Sequence, residues 1–314
     1  MNDEYIEDPI IPDPGTGMWF VGQVNTGGDA IYVKGKIVSG VQYAFVANGT
    51  AGISVVNISN AAGPSVISSY PTNGYAREIF LDTVNSVNYA FVSDSLKGIY
   101  ILNVNTPTSL SLDTLISYPG VNCVNRKNNY LFVALVNGNV KILDVSHLPD
   151  AVSEVTTYLP SNVVNRIEIS NNTAYFVENT TGIEFVNIID PANPVRYSTF
   201  HSPGNCYSIK IADYLVYVAD GAAGISVINA ANPSQPYFIN TKNTETIVRF
   251  IDFSPNFLFT AEGSSGVEVL NVFNTVDPEY VGYYEPSAYC HSVHYFKGKV
   301  LVANGSGGLL ILRF

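Results

Sequence analysis

Apolar and polar residues alternate in short runs along this chain. The runs are broken by clusters of Gly, Pro, Asn, Asp and Ser, and no ten-residue stretch carries apolar residues at a helical period. Period-two alternation places side chains on opposite faces of a strand, so the pattern predicts many short β-strands and no helices. One run returns at intervals. It reads Val46-Ala-Asn-Gly-Thr-Ala-Gly-Ile-Ser-Val-Val-Asn-Ile58, Val218-Ala-Asp-Gly-Ala-Ala-Gly-Ile-Ser-Val-Ile-Asn229 and Thr260-Ala-Glu-Gly-Ser-Ser-Gly-Val-Glu-Val-Leu-Asn-Val272, with weaker copies between and a last one at Val302 to Leu312. Aligned on its second glycine, the motif marks Gly52, Gly98, Asn139, Gly182, Gly224, Gly266 and Gly308, at spacings of 46, 41, 43, 42, 42 and 42 residues. The slot falls between two strand patterns, where a tight turn needs a positive φ. Glycine meets that need without Cβ strain, and Asn139 is expected to meet it as the next most tolerant residue.

Each unit reads as four strands. In the fifth, Arg196 to Phe200 precedes a Ser-Pro-Gly turn, followed by Tyr207 to Ile211, Leu215 to Val218 and Ile225 to Ile228. Proline-bearing linkers at Pro64, Pro107, Pro149, Asp190 to Pro194, Asn232 to Pro236 and Pro278 mark where the sheets end, since proline cannot donate to a ladder. Four strands per repeat of about 43 residues indicate a β-propeller. Seven units predict seven four-stranded blades, an all-β fold over residues 17 to 314. The last unit stops after its third strand, and Trp19 to Val24 resembles Tyr280 to Tyr284, so an N-terminal strand is expected to complete the C-terminal blade and close the ring. Closure removes the exposed sheet edges that invite aggregation.

The third strands Gly52 to Ile58, Val140-Lys-Ile-Leu-Asp-Val145 and Gly224 to Asn229, preceded by a Val-Ala-(Asn/Asp)-Gly turn in the first and last of these, resemble LVIVD-repeat proteins over about residues 18 to 314. The resemblance implies a β-propeller in a bacterial exported or surface protein and no particular chemistry. Asn often stands where the family name has Asp, as at Asn57 and Asn229, which removes the carboxylate from that position.

Composition narrows the partners. The 26 acidic and 15 basic side chains give a net charge of −11, with 13% of residues charged and 46% apolar. That balance suits a large core and disfavours phosphate-backbone binding, so nucleic acid is not expected. No run is long enough to span a membrane as a helix. Residues 1 to 16 are acidic and Pro-rich without an apolar signal-peptide core, and their five carboxylates (Asp3, Glu4, Glu7, Asp8, Asp13) hold close to half of the net charge. They read as a flexible tether. A lipid anchor upstream, an extracytoplasmic location (outer-membrane lipoprotein, cell surface or periplasm) and a monomeric state are expectations from this reading.

Chemistry would sit on the innermost strand of each blade, at the mouth of the central channel. Aligning apolar pairs (Ile31/Val33, Ile79/Leu81, Ile167/Ile169, Ile209/Ile211, Ile251/Phe253, Val293/Tyr295) places Asp29, Arg77, Asn165, Tyr207, Arg249 and His291 in one mouth-side slot. These are the ligand-binding candidates, suited to an anionic or hydroxyl-rich ligand. The slot before holds Gly28, Ala76, Val164, Cys206, Val248 and Cys290, with Cys123 a further candidate. All are small, so the three cysteines read as free buried thiols. Between the paired apolar residues lie Tyr32, Phe80, Glu168, Lys210, Asp252 and His294, of which Glu168, Lys210, Asp252 and His294 would line the channel as acid, base, acid and base. A structural ion-pair set is the favoured reading, with a catalytic Glu168 and Asp252 pair as the alternative. Asn48, Asp94, Asn179, Asp220, Glu262 and Asn304 read as turn residues. No nucleophile, phosphate-loop or metal-ligand motif occurs, and His291 and His294 at i and i+3 of a strand point to opposite faces, so no metal or other cofactor is expected.

The sequence therefore predicts a non-catalytic binding or scaffold propeller engaging a glycan or a protein at one face. The alternative is a lyase-like enzyme acting on an acidic polysaccharide, with Tyr207 and His291 transferring protons and Arg77 and Arg249 neutralising a uronate.

Overall fold

The computed structural model describes residues 17–244 and 246–314; the expected tether lies outside them. They form twenty-eight strands in seven four-stranded antiparallel sheets, with no helix among the described residues. Blades 1 to 6 are consecutive in sequence, over residues 32–70, 76–116, 121–158, 166–200, 208–242 and 250–284. Blade 7 joins Ser292–Phe296, Lys299–Ala303 and Leu309–Arg313 to Trp19–Val24. Trp19 pairs with Arg313 and Val24 with Leu309. This strand is a true fourth strand in its details. Its ladder skips a residue between Phe20 and Gly22, as the outer strand of blade 6 does between Tyr280 and Gly282.

The repeated glycine has two causes. Gly52 has φ +80, and a Cβ there would lie 2.2 Å from the carbonyl oxygen of Tyr70, at the end of the fourth strand. Gly308 repeats both features, with Val24 of the N-terminal strand supplying the oxygen at 2.3 Å. Blade 3 departs from expectation, because Gly138 takes the positive φ (+88) and Asn139 does not. Its turn moves the strained residue one place earlier, and Asn139 is left with ordinary backbone.

The third strands end in a recurrent local bond. The side-chain oxygens of Asn57, Asn103, Asp144, Asn187, Asn229 and Asn271 each accept the N–H two residues on, at 2.7 to 3.1 Å. Asn and Asp serve this turn equally, which accounts for their exchange at the position.

The core is distributed between the blades. Val33, Ile79, Val124, Ile167, Ile209, Ile251 and Val293, one from each inner strand, are all at most 4% exposed. Each such side chain contributes about 1.5–3 kcal/mol through burial. Around the closure, Met18 and Phe314 are buried in the same cluster, and the Phe314 ring meets Phe257 of blade 6 at 4.4 Å.

Ladder register corrects three readings of the sequence. Val33 pairs with Val46 as Ile209 pairs with Val218, so the first blade's pair is Val33 and Gly35, two residues later than expected. Gly35 interrupts the apolar pattern because the Phe296 ring lies over it, 2.3 Å from where a Cβ would stand. Ile31, Lys34 and Ala30 consequently take the places expected for Asp29, Tyr32 and Gly28. In blade 3, Cys123 pairs with Ala134 and falls level with Ser208, not with Cys206. In blade 4 the turn position four before Gly182 is Glu178; Asn179 occupies the next place, with φ +48.

Candidate functional site

The inner strands begin at one end of the channel. Ile31, Asn165, Tyr207, Arg249 and His291 each donate their N–H to the last residue of the second strand of their own blade, which fixes them at one level. Arg77 and Asn122 complete the ring from blades 2 and 3, where the ladder skips a residue at each of them. Arg77 donates to Asn122 at 3.1 Å, and the Asn122 amide donates onward to the Val164 carbonyl at 3.0 Å. The Arg249 guanidinium lies over the Tyr207 ring at 5.2 Å. His291 packs against Tyr289, ring centroids 4.7 Å apart. Burial lowers the pKa of His291 and Arg249 adds to this, while Asp29 opposes it. Asp29 thus acts on the mouth from the loop preceding the first inner strand. Asn165 also lies at the ring. Tyr207 and His291, the two groups of the lyase reading, stand in this ring on blades 5 and 7, with Arg249 of blade 6 between them in sequence.

One step deeper the strands contribute Tyr32, Glu78, Cys123, Arg166, Ser208, Phe250 and Ser292. Their contacts link blades that are not neighbours, which is possible only across the axis. Arg166 of blade 4 reaches Glu78 of blade 2 at 3.1 Å and lies over Phe250 of blade 6 at 4.4 Å and Tyr32 of blade 1 at 5.2 Å. Tyr32 meets Phe250 edge to face at 5.6 Å. Burial raises the pKa of Glu78 and Arg166 opposes the rise. This layer is a plug, since one guanidinium fills the axis between two rings and a carboxylate.

The next layer holds Lys34, Phe80, Asn125, Glu168, Lys210, Asp252 and His294. Lys210 bridges Glu168 and Asp252, at 3.3 Å from each. Asp252 accepts a second bond from His294 Nδ1 at 2.7 Å and a third from the Tyr295 N–H at 2.9 Å. Burial alone would raise the Asp252 pKa, but Lys210 and His294 hold the carboxyl well below the usual carboxylate range. Burial lowers His294, with Lys34 adding to the effect and Asp252 opposing it. The candidate pair Glu168 and Asp252 is therefore bridged by one ammonium held between the two carboxylates, an arrangement suited to structure. Asn125, unregistered in the sequence, sits here with its amide donating to the Ile167 carbonyl at 2.8 Å.

The turn residues have largely internal partners. Asn48 donates to Ser54 at 2.9 Å, and Asp220 accepts from Ser226 at 2.8 Å. Glu178, which the alignment of turns passed over, lies instead beside a second acid, Glu184. The latter accepts from Tyr158 at 2.5 Å and from the Ser161 N–H and hydroxyl at 2.9 and 2.6 Å, and pairs with Arg196 at 3.0 Å. Burial, then the charge of Glu184, pushes Glu178 up to about 7. Counting four residues back from Gly182 would have found it. Both side chains are closed to any substrate, at 1% and 0% exposed. The three cysteines are free and buried; Cys206 and Cys290 lie where inner strands bridge the preceding blade's turn, at Asn179 and Gly263. Burial raises their thiol pKa values, that of Cys290 to about 12. No group of three or more His, Cys, Asp or Glu placed to hold a metal occurs among the described residues.

Comparison with known proteins places this geometry. The WD40 β-propeller domain of Doa1 superposes with a TM-score of 0.72 at 11% identity, covering 95% of this chain and 97% of that one. U3-55K gives 0.71 at 10% identity over 96% and 100%, and the computationally designed Ika8 protein 0.65 at 10% over 94% and 99%. Likeness at this identity concerns the fold alone. No curated protein matches the chain by sequence. The LVIVD repeat model matches residues 27–72, 74–115, 124–158 and 203–244, which is more than half of the sequence and takes in blades 1, 2, 3 and 5, and the chain therefore belongs to the LVIVD repeat family.

Proposed function

We propose that this propeller is a non-catalytic binding module, working outside the cytoplasm, that takes an acidic glycan at the mouth where its inner strands begin. A propeller of LVIVD repeats suggests a binding or scaffold role in general; the ligand class rests on one observation. Arg126, Arg166 and Arg196 are each paired with a carboxylate, whereas Arg77 and Arg249 at the mouth have none among the described residues. Both are nevertheless held in place, Arg77 by Asn122 and Arg249 by the Tyr207 ring. Oriented guanidinium groups bind carboxylates in a bidentate fashion, and the adjoining rings of Tyr207 and Tyr289 offer faces for sugar. The whole-chain charge is no obstacle, since five of its carboxylates belong to residues 1 to 16.

Calorimetric titration with oligogalacturonate, and with a neutral glucan as control, tests the proposal. The acidic oligosaccharide is expected to bind, and the double variant Arg77→Ala/Arg249→Ala to bind at least about tenfold more weakly, the loss of more than one charge-assisted contact. Binding that survives the double variant would refute the site. Formation of an unsaturated product, followed by ultraviolet absorbance and lost in His291→Ala, would instead establish the lyase.

A further inference from the structure

We infer that the channel holds a second site, independent of the mouth, in which Lys34 receives a small organic carboxylate entering from the hairpin end of the blades. The layer formed by Tyr32, Glu78, Arg166 and Phe250 lies between Lys34 and the mouth, its side chains meeting across the axis. Beyond the plug the cations outnumber the acids. Lys34, Lys36, Arg126, Lys127 and Lys210 face Asp82, Glu168 and Asp252 on this half of the inner strands, five against three in a chain of net charge −11. The three acids are already engaged: Asp82 by Arg126 at 2.6 Å, Glu168 and Asp252 by Lys210 at 3.3 Å, and Asp252 again by His294.

Among the described residues, three of these lysines are left without a carboxylate: Lys36 donates to Thr83 at 3.4 Å and Lys127 to Asn171 and Asn172, whereas Lys34 has no such acceptor. Its ammonium lies 5.6 Å from the centre of the Tyr32 ring, and no ion pair or hydrogen bond to it exists among the described residues. Burial, then repulsion from Lys210, lowers its pKa, and the acids of the channel only partly offset this. A half-buried ammonium with three donors and no acceptor favours an anion that supplies one. The Tyr32 ring beside the ammonium gives this cation an apolar neighbour, which fits a carboxylate with a short apolar body better than a bare inorganic anion. Lys36 and Lys127 stand one step nearer the hairpin end, where they would draw the anion in.

The test uses the intact chain with lysine labelled at the ε-carbon, titrated with acetate against chloride at equal ionic strength and followed by carbon-resolved NMR. The Lys34 signal, identified by its disappearance in Lys34→Arg, is expected to move saturably with acetate. The accompanying rise in melting temperature should persist in Lys34→Arg and require at least about tenfold more acetate in Lys34→Met. A Lys34 signal that acetate leaves in place overturns the site, as does an unchanged response in Lys34→Met, and an equal response to chloride overturns the assignment to a carboxylate.

Discussion

The interfaces between blades and the channel they surround use opposite means of holding seven sheets together. Between blades, one position of each inner strand is Val or Ile in all seven blades, at most 4% exposed, and any could replace another at small cost in volume. Along the axis, the residues in between are Lys, Glu, Asp, His, Arg, Asn, Ser, Cys, Tyr and Phe, seldom repeated from one blade to the next. The interfaces are thus generic and carry stability. The channel is specific to each blade, and its charges close into local sets: Glu78 with Arg166, and Lys210 with Glu168 and Asp252. A repeat protein can tolerate variation in the second place because the first supplies the free energy.

Three perturbations would sharpen or break this contrast. Removing residues 17–24 takes away the fourth strand of blade 7 and uncovers the apolar strand Leu309–Arg313; thermal melts should show a loss above about 4 kcal/mol or a protein that no longer folds. An unchanged melting temperature would contradict ring closure. Glu78→Gln leaves Arg166 without its carboxylate in the plug. The side chains retain some access to water, so the expected loss is about 1–3 kcal/mol, and Glu78→Gln/Arg166→Met should recover most of it. If the double variant is as unstable as the sum of the singles, the plug matters as packing and not as charge.

The smallest effect concerns an acid pair within a blade body, Glu178 and Glu184. Glu178 is raised from 4.5 to about 7 in the folded chain. Between those pH values the unfolded chain has released this proton and the folded chain has kept it, so this group's contribution to stability falls as pH rises through the window. Melting temperatures measured from pH 4 to 8 should therefore decline less in Glu178→Gln, whose amide can donate to Glu184 at any pH. A variant with the same slope as the wild-type chain would show that the two acids are not coupled. Blade 1, with Asn48 and Ser54 in the same two places, already contains the neutral solution.

Much of this architecture was legible beforehand because its causes are local. A positive φ and a carbonyl 2.2 Å from a would-be Cβ dictate glycine in the turn, and those demands recur wherever the backbone does. The strand ends were legible in part. The exchange of Asn for Asp at the third-strand terminus looked like the loss of a carboxylate, and its reason, an N–H two residues away, appears only with the turn. The first blade was misregistered because Gly35 answers to Phe296, a residue some 260 positions distant, and no local pattern records that contact. Glu168, Lys210, Asp252 and His294 could be read as alternating charges on successive blades. The pairing of Glu78 with Arg166 could not, since it crosses the axis between blades 2 and 4.

The strand Trp19–Val24 also sets an order of events in time. The first segment able to pair must wait for the last, since its partner Leu309–Arg313 lies almost the whole chain away. Six blades can form from contiguous sequence as it becomes available, but the seventh cannot form until Leu309–Arg313 has been made. Until then an open arc of blades exposes two apolar faces and one unpaired edge, the kind of intermediate that aggregates or engages chaperones. The slowest step of folding is expected to be this final long-range pairing, whose cost is loop closure and whose contacts are among the least local in the molecule.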